Sequence, residues 1–330
     1  MTSPVTPVLV TGAAGFIGAR FVESCNHRGA QVVSVDEVDR IGVAAEHDGI
    51  DFGTCVDRRE VVAALRDGAV RPGAIVHMGA CTDTTELRED YLREVNLESS
   101  QALWSYARDA GIPFVYASSA ATYGGGENGY DDDEARFGDL LPLNPYGESK
   151  RQFDLWALAE EAAGRAPVAW AGFKFFNVYG FGERHKGRMA SVVLQAFDQI
   201  RDHGSVRLFR SHREGIADGH QERDFVLVDD VVDVLWFALE KPLRRGVFNL
   251  GTGKARTFLD LVRATFRALG AEERIDWVDT PEDIRDRYQY FTEARMERLR
   301  EAGYGKPFTT LEDGVARYVA RLLEAAGTAD

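Results

Sequence analysis

Eight residues near the start of the chain, Thr11-Gly12-Ala13-Ala14-Gly15-Phe16-Ile17-Gly18, restrict its fold more than any other stretch. An apolar, β-branched run over residues 5–10 precedes them. Phe16, Ile17, Ala19, Phe21 and Val22 then recur at helical spacing, so the pattern predicts strand, turn, helix. Gly12 permits the tight turn, Gly15 lets backbone approach a pyrophosphate, and Gly18 lets the helix pack closely on the sheet. The free N–H groups and positive dipole end of that helix face the phosphates. A plain tight turn would account for the glycines alone, so their weight comes from context. Asp36 closes a second predicted strand at residues 31–35. A carboxylate there can accept hydrogen bonds from an adenosine ribose, although a solvated strand-end acid is the blander reading.

Further apolar runs at 74–78 and 113–117 flank an amphipathic stretch at 87–110, and a helix predicted over 146–163 leads into a strand at 168–173. Strands alternating with helices imply parallel pairing through right-handed crossovers, hence an α/β fold with a doubly wound Rossmann sheet. Beyond Asn177 the rhythm changes. A loop rich in glycine and charge precedes a helix near 189–202, a polar insertion at 210–221 and a strand at 225–228; helices follow at 229–240, 257–269 and 311–325. The expected organisation is a dinucleotide-binding domain at 1–176, to which later segments can return, and a smaller α/β substrate-binding lobe, mainly 177–330. No fixed period marks a repeat array.

The formal charge of -14, from 39 basic against 53 acidic residues, opposes binding to nucleic acid or an anionic membrane. Cys25, Cys55 and Cys81 are odd in number and lack CxxC spacing, which argues against a disulfide framework or structural zinc and fits a reducing cytoplasm. No apolar run approaches a membrane span. His212 and His220 lie in the polar insertion without other placed ligands, so no metal is expected.

Tyr146 and Lys150 form a YxxxK pair whose spacing puts both side chains on one helical face. An ammonium beside a phenol lowers its pKa, so the tyrosinate can take a hydroxyl proton while hydride leaves the same carbon. Lys150 can also hold a nicotinamide ribose. Taken alone, the pair fits an exposed tyrosine and a solvated lysine equally well. The stretch Tyr116-Ala117-Ser118-Ser119-Ala120-Ala121-Thr122-Tyr123-Gly124 adds a serine, Ser119, at a predicted strand end where such sheets bind ligands. Glycine turn, strand-end serine and YxxxK arrive in the order of the extended short-chain dehydrogenase/reductases, and the chain resembles the NAD-dependent epimerase/dehydratase members of that family. Sugar dehydratases of the family place an Asp-Glu pair after the strand-end hydroxyl residue. Ala120-Ala121 stands there in this chain, which disfavours elimination of water.

Three more stretches resemble the ADP-L-glycero-D-manno-heptose 6-epimerase group: residues 77–86, residues 175–180 and His185-Lys186-Gly187-Arg188-Met189-Ala190-Ser191. In that group the lysine of the HKG motif is a second catalytic base opposite the tyrosine, and it maps to Lys186; an ordinary surface lysine is the bland alternative. The resemblance implies oxidation at carbon 6 of ADP-D-glycero-D-manno-heptose, reorientation of the 6-ketone and return of hydride to its other face, in lipopolysaccharide inner-core precursor synthesis. It implies Gly12, Gly15, Phe16, Ile17, Gly18, Asp36, Glu37, His77, Met78, Gly79, Ala80, Cys81, Asn96, Tyr146, Lys150 and Val178 along the cofactor. Ser119, Asn177, Lys186, Arg188, Gln195, Phe209, Arg223 and Tyr288 are implied around the ADP-sugar, with Arg223 as a counterion for phosphate. The likeness extends through Arg223-Asp224-Phe225, residues 248–253 and Arg287-Tyr288-Gln289. Gln195 departs from it, standing where some members have histidine. Cofactor choice divides the signals. The resemblance implies NADP, whereas Asp36 and Glu37 would repel a 2′-phosphate and argue for NAD, with Arg40 the one nearby cation in the sequence. A homo-oligomer is also implied, a pentamer being one form. The alternatives are a UDP-hexose 4-epimerase, which would leave Lys186 without a duty, and a cofactor-binding protein without turnover.

Overall fold

The run Val8-Leu9-Val10 is wholly buried, as a parallel strand covered on both faces must be. A computed structural model of the chain describes residues 7–241, 245–285 and 288–327. Residues 5 and 6 of the first predicted strand, and Arg287, lie outside the described residues. The first half runs β1 (Val8–Thr11), α1 (Phe16–His27), β2 (Val32–Asp36), β3 (Thr54–Asp57), α2 (Val61–Arg66), β4 (Ala74–His77), α3 (Glu89–Leu92), α4 (Ser99–Ala110), β5 (Phe114–Ser119), α5 (Pro145–Ala162) and β6 (Trp170–Phe175). After it come β7 (Asn177–Tyr179), α6 (Val192–His203), β8 (Val206–Phe209), β9 (Glu222–Leu227), α7 (Val228–Glu240), β10 (Gly246–Leu250), β11 (Ala255–Thr257) and α8 (Phe258–Leu269). The chain ends in β12 (Ile275–Val278), α9 (Glu282–Arg285), α10 (Glu297–Glu301) and α11 (Leu311–Gly327).

Seven strands form one sheet in the order β10-β6-β5-β4-β1-β2-β3, and every pairing in it is parallel. The expected doubly wound α/β sheet is therefore present. From β1 the chain winds outward through β2 and β3, then crosses back to β4 and continues the other way. The carboxyl ends of β1 and β4 thus flank the point where strand order reverses, which is where open α/β sheets bind ligands. β10 completes the sheet from far along the chain, and α7 returns to pack on α1, stacking Trp236 on Phe21 at 5.0 Å. A second apolar core gathers α6, α8 and α11 against β8 and β9. A three-stranded sheet, β11-β9-β7, and a β8-β12 pair lie on that side.

Two local departures from the sequence expectation have physical causes. The amphipathic stretch at 87–110 is not one continuous helix: a π-helical turn at Arg93–Glu98 interrupts it, a wide turn of the kind common at functional sites. It turns Asn96 inward, where Asn96 holds the backbone N–H and carbonyl of Cys81 at 2.8 and 3.0 Å. β6 begins at Trp170, two residues after the apolar run starts, because Val168 is exposed.

Helix α5 is fixed to the sheet by charge. Asp154 and Lys174 form a fully buried ion pair at 2.6 Å. Asp154 also accepts from the Tyr116 hydroxyl at 2.9 Å and from Ser118 at 2.7 Å, while Lys174 donates to Thr122 at 2.8 Å. Every polar group here has a partner, so removing one strands the others. Asp154→Ala is expected to cost roughly 3–5 kcal/mol, the usual consequence of leaving a buried charge unpaired. Thermal unfolding of the purified variant measures it; a midpoint matching the native protein would refute this account of the pair.

Candidate active site

The glycine turn is built on contact too close for side chains. Gly12 has φ +66, and a Cβ there would lie 2.7 Å from the Gly79 nitrogen and 2.8 Å from the Met78 carbonyl carbon, at the end of β4. A Cβ on Gly18 would fall 2.0 Å from the Gly12 oxygen, so α1 can approach the turn only with glycine at that position. Gly15 caps α1 without any side-chain hydrogen bond, leaving the first N–H groups of a twelve-residue helix for an anion. Asp36 is buried and accepts from the Ala14 and Glu37 backbone N–H groups at 3.0 and 2.8 Å, which locks the turn to the end of β2. Sequence reasoning missed two cations here. Arg58 and Arg59 line the same rim as Arg40, because the β2–β3 register sets Asp57 beside Asp36. Arg40 lies 4.0 Å from Asp36, and Arg58 pairs with Glu37 at 3.1 Å.

From this rim a cleft of about 920 Å³ runs along the carboxyl ends of β1, β4 and β5. Its wall includes Gly12, Gly15, Phe16, Ile17, Gly18, Asp36, Glu37, Val178 and the run from His77 to Cys81. His77 is buried between the Thr11 hydroxyl at 2.6 Å and the Ser100 hydroxyl at 2.8 Å, and burial pushes its pKa down to about 3, so its ring is neutral. Asn96 is not in the wall. It stands behind Cys81 and donates to Ser149 of α5 at 3.0 Å, tying the loop after β4 to the helix that carries Tyr146.

The same cleft is lined by Ser119, Tyr146, Lys150 and Lys186. Asn144 caps α5 by accepting from the Gly147 N–H, and Pro145 occupies its first turn, so Tyr146 and Lys150 share one inward face. Burial raises the Tyr146 phenol, and a hydrogen bond with Ser119 opposes that rise. The sequence reading assigns this opposition to Lys150; in the structure Lys150 instead donates to the Ala117 carbonyl at 2.9 Å. Burial brings the Lys150 amine down to about 8, against the partial restoring pull of Asp154. Asp154 stands one further turn along the same face, and only its i+4 spacing from Lys150 could have signalled it.

Lys186 lies on a 3-10 turn, Arg184–Met189, with Nζ 5.1 Å from the centre of the Phe16 ring and 3.8 Å from Glu183. The remaining expected ligands divide. Asn177 on β7 and Arg188 beside Lys186 are exposed, and Gln195 donates to the Ala190 carbonyl at 2.9 Å. Phe209 and Tyr288 meet edge to face at 6.3 Å, with the Arg223 guanidinium 5.6 Å from the Tyr288 ring. None of these six lines the 920 Å³ cleft. The 210–221 insertion folds onto this cluster: the Tyr290 hydroxyl accepts from the His212 N–H at 2.9 Å. Among the described residues no group of three or more His, Cys, Asp or Glu could hold a metal ion, and no helix is long and apolar enough to cross a membrane.

The profile of the NAD dependent epimerase/dehydratase family matches residues 8–251. The chain is 47% identical to ADP-L-glycero-D-manno-heptose-6-epimerase of Nitratidesulfovibrio vulgaris over 96% of its own length and 98% of that protein. Among solved structures, Helicobacter pylori ADP-L-glycero-D-manno-heptose-6-epimerase superposes with a TM-score of 0.78 at 26% identity, covering 96% of each chain. Thermus thermophilus UDP-glucose 4-epimerase, solved with NAD, gives 0.76 at 25% identity over 96% of this chain and 98% of that one.

The Lys150 shift has a sign that experiment can read. Its folded pKa of about 8 lies below the ordinary 10.5, so between those values the unfolded chain binds more protons. The cost of keeping this ammonium buried therefore fades as pH rises through that window. Any step that needs the ammonium is expected to weaken as pH rises through about 8. A basic limb in kcat/KM that persists unchanged in Lys150→Met would assign the titration elsewhere.

Proposed function

The chain belongs to the NAD dependent epimerase/dehydratase family, and from that premise we propose that it inverts carbon 6 of the heptose in ADP-D-glycero-D-manno-heptose to give the L-glycero epimer. The observation that carries this reading is the shared cleft: a phenol and an amine from separate elements, Tyr146 on α5 and Lys186 on the turn before α6, reach one cavity that begins at the glycine turn. The identity to relatives named as heptose 6-epimerases supports the choice of sugar.

The residues fit a dinucleotide. Gly15 leaves no side chain between turn and pyrophosphate, Gly12 and Gly18 let the turn close against β4 and α1, and the uncapped N-terminus of α1 supplies the N–H donors. When bound, the nicotinamide supplies a hydride acceptor that later gives the hydride back, so no net redox occurs. Tyr146 takes or gives the proton of the carbon 6 hydroxyl on one face, with Ser119 hydrogen-bonded to it. Lys186 serves the other face. Inversion through a ketone needs proton traffic on both sides, which one tyrosine cannot serve without moving. Arg223, set against the Tyr288 ring that Phe209 meets edge to face, is the proposed seat of the ADP group, with Asn177, Arg188 and Gln195 nearer the sugar. In this reading residues 1–176 with β10 and α7 hold the cofactor, and most of 177–330 holds the sugar nucleotide. The cofactor is NAD: Asp36 and Glu37 face the adenosine end, and two of the rim arginines are paired with them.

Incubation with ADP-D-glycero-D-manno-heptose, with product configuration read at carbon 6, tests the reading; no inversion alongside turnover of a UDP-hexose would reverse it. Lys186→Met is expected to lower inversion by about 10²–10⁴-fold while cofactor binding survives, and unchanged turnover would refute the two-base assignment. Denaturing the purified protein is expected to release NAD(H). Release of NADP(H) instead would give the 2′-phosphate to Arg40, Arg58 and Arg59. Sedimentation tests the expected homo-oligomer.

A further inference from the structure

We infer that Glu183 is the positioning residue of the Lys186 amine, a buried carboxylate that fixes where the amine stands and favours its protonated form. The inference rests on the reading of Lys186 as the second acid–base group. Lys186 sits on an irregular segment between β7 and α6, broken at Gly187, whose φ 52 and ψ -119 lie outside helical values. Such a segment does not by itself hold an amine to reacting geometry, so something must brace it.

Glu183 is completely buried. It accepts from the Gly180 N–H at 3.4 Å, the Ser191 N–H at 2.7 Å and the Ser191 hydroxyl at 2.5 Å. The Tyr318 hydroxyl on α11 also bonds to it. One carboxylate thereby closes the segment at both ends and ties it to α11. All of these donors are neutral, and a buried carboxylate needs a cation or a rich set of hydrogen bonds to remain charged. The cation beside it is Lys186, whose Nζ is 3.8 Å from Oε2. That separation is too long for a tight hydrogen bond, so the ammonium keeps its donors for the cleft while feeling the charge.

The surroundings leave Glu183 as the group that opposes burial. Burial lowers the Lys186 pKa and Glu183 raises it. From α1 the neighbour is the uncharged Phe16 ring. His185, adjacent in the chain, is held toward its neutral form by burial, with Arg40 and Lys186 acting in the same direction. Tyr318 is held as the phenol by burial and by Glu183, with Arg184 opposing.

The test is competitive acetylation of the intact protein with acetic anhydride across pH, read by mass spectrometry at the Lys186 peptide, beside kcat and KM. In Glu183→Gln the labelling midpoint of Lys186 is expected to fall by about 1 pH unit or more, the usual effect of losing an opposite charge at this range. Tyr318→Phe keeps the carboxylate and removes a neutral donor, so the midpoint is expected to rise. Glu183→Asp keeps the charge on a shorter arm and is expected to restore most of the midpoint with kcat still lowered and bound cofactor retained. Opposite shifts in Glu183→Gln and Tyr318→Phe support the inference. An unmoved midpoint in folded Glu183→Gln, or shifts of one sign in both, overturns it; if Glu183→Gln does not fold, an unmoved midpoint in Tyr318→Phe does so. Because labelling needs no turnover, the inference is judged separately from the two-base reading, which falls if Lys186→Met still inverts.

Discussion

The carboxylate of Asp154 is the point on which the arrangement of the candidate site turns. It joins α5 to β5 through Tyr116 and Ser118 and to β6 through Lys174, with no solvent at the junction. Tyr146, Lys150 and Asp154 follow one another at four-residue intervals, so fixing Asp154 fixes the roll of the helix and therefore the direction of the other two. The charge also reaches Lys150, which burial alone would push further toward a neutral amine. Position and protonation state are thus set by the same group.

The opposite wall depends on an absence of side chains. Gly12 and Gly79 let the ends of β1 and β4 come within backbone contact where a Cβ on either would clash, and both residues line the head of the cleft. Asp36 then performs two duties. It pins the turn through Ala14 and lines the rim of the cleft. A substitution at Asp36 would therefore disturb turn geometry and the charge of the rim together, and neither effect could be read without the other.

What the sequence disclosed and what it withheld follow from range of interaction. Strand, turn and first helix were legible because β-branched runs, glycine spacing and helical periodicity are local. The YxxxK pair was legible for the same reason. Lys174 as the partner of Asp154 was not, since nothing local links two residues on different elements until β6 lies beside β5. Arg58 and Arg59 reach the rim of the cleft only through the parallel register of β2 and β3. The return of β10 to the far edge of the sheet, and of α7 to the face of α1, follows from burial that no window of sequence contains. The resemblance implies Asn96 along the cofactor; the π-helical turn sets its side chain behind Cys81, where it holds the loop after β4.

The two lysines of the cleft repeat one design with different anchors. At Lys150, buried on α5, the effect of burial is opposed by Asp154 one turn along the same helix; at the half-buried Lys186 it is opposed by Glu183, which belongs to the segment leading into α6. Each amine is therefore tuned by the element that carries it, and their alignment across the cleft must come from contacts between those elements. The structure has such a joint. The Phe181 ring lies between the guanidinium groups of Arg20 on α1, at 5.3 Å, and Arg321 on α11, at 4.3 Å. Arg20 also donates to the Glu46 carbonyl, and the Glu46 side chain accepts from the Arg184 N–H at 3.1 Å. This joint runs from the helix that begins at the glycine turn to the segment that carries Lys186. Spacing between the glycine turn and the second amine is accordingly a property of packing around Phe181 and Glu46, and the cleft keeps its two chemical walls in register because α1 belongs to both.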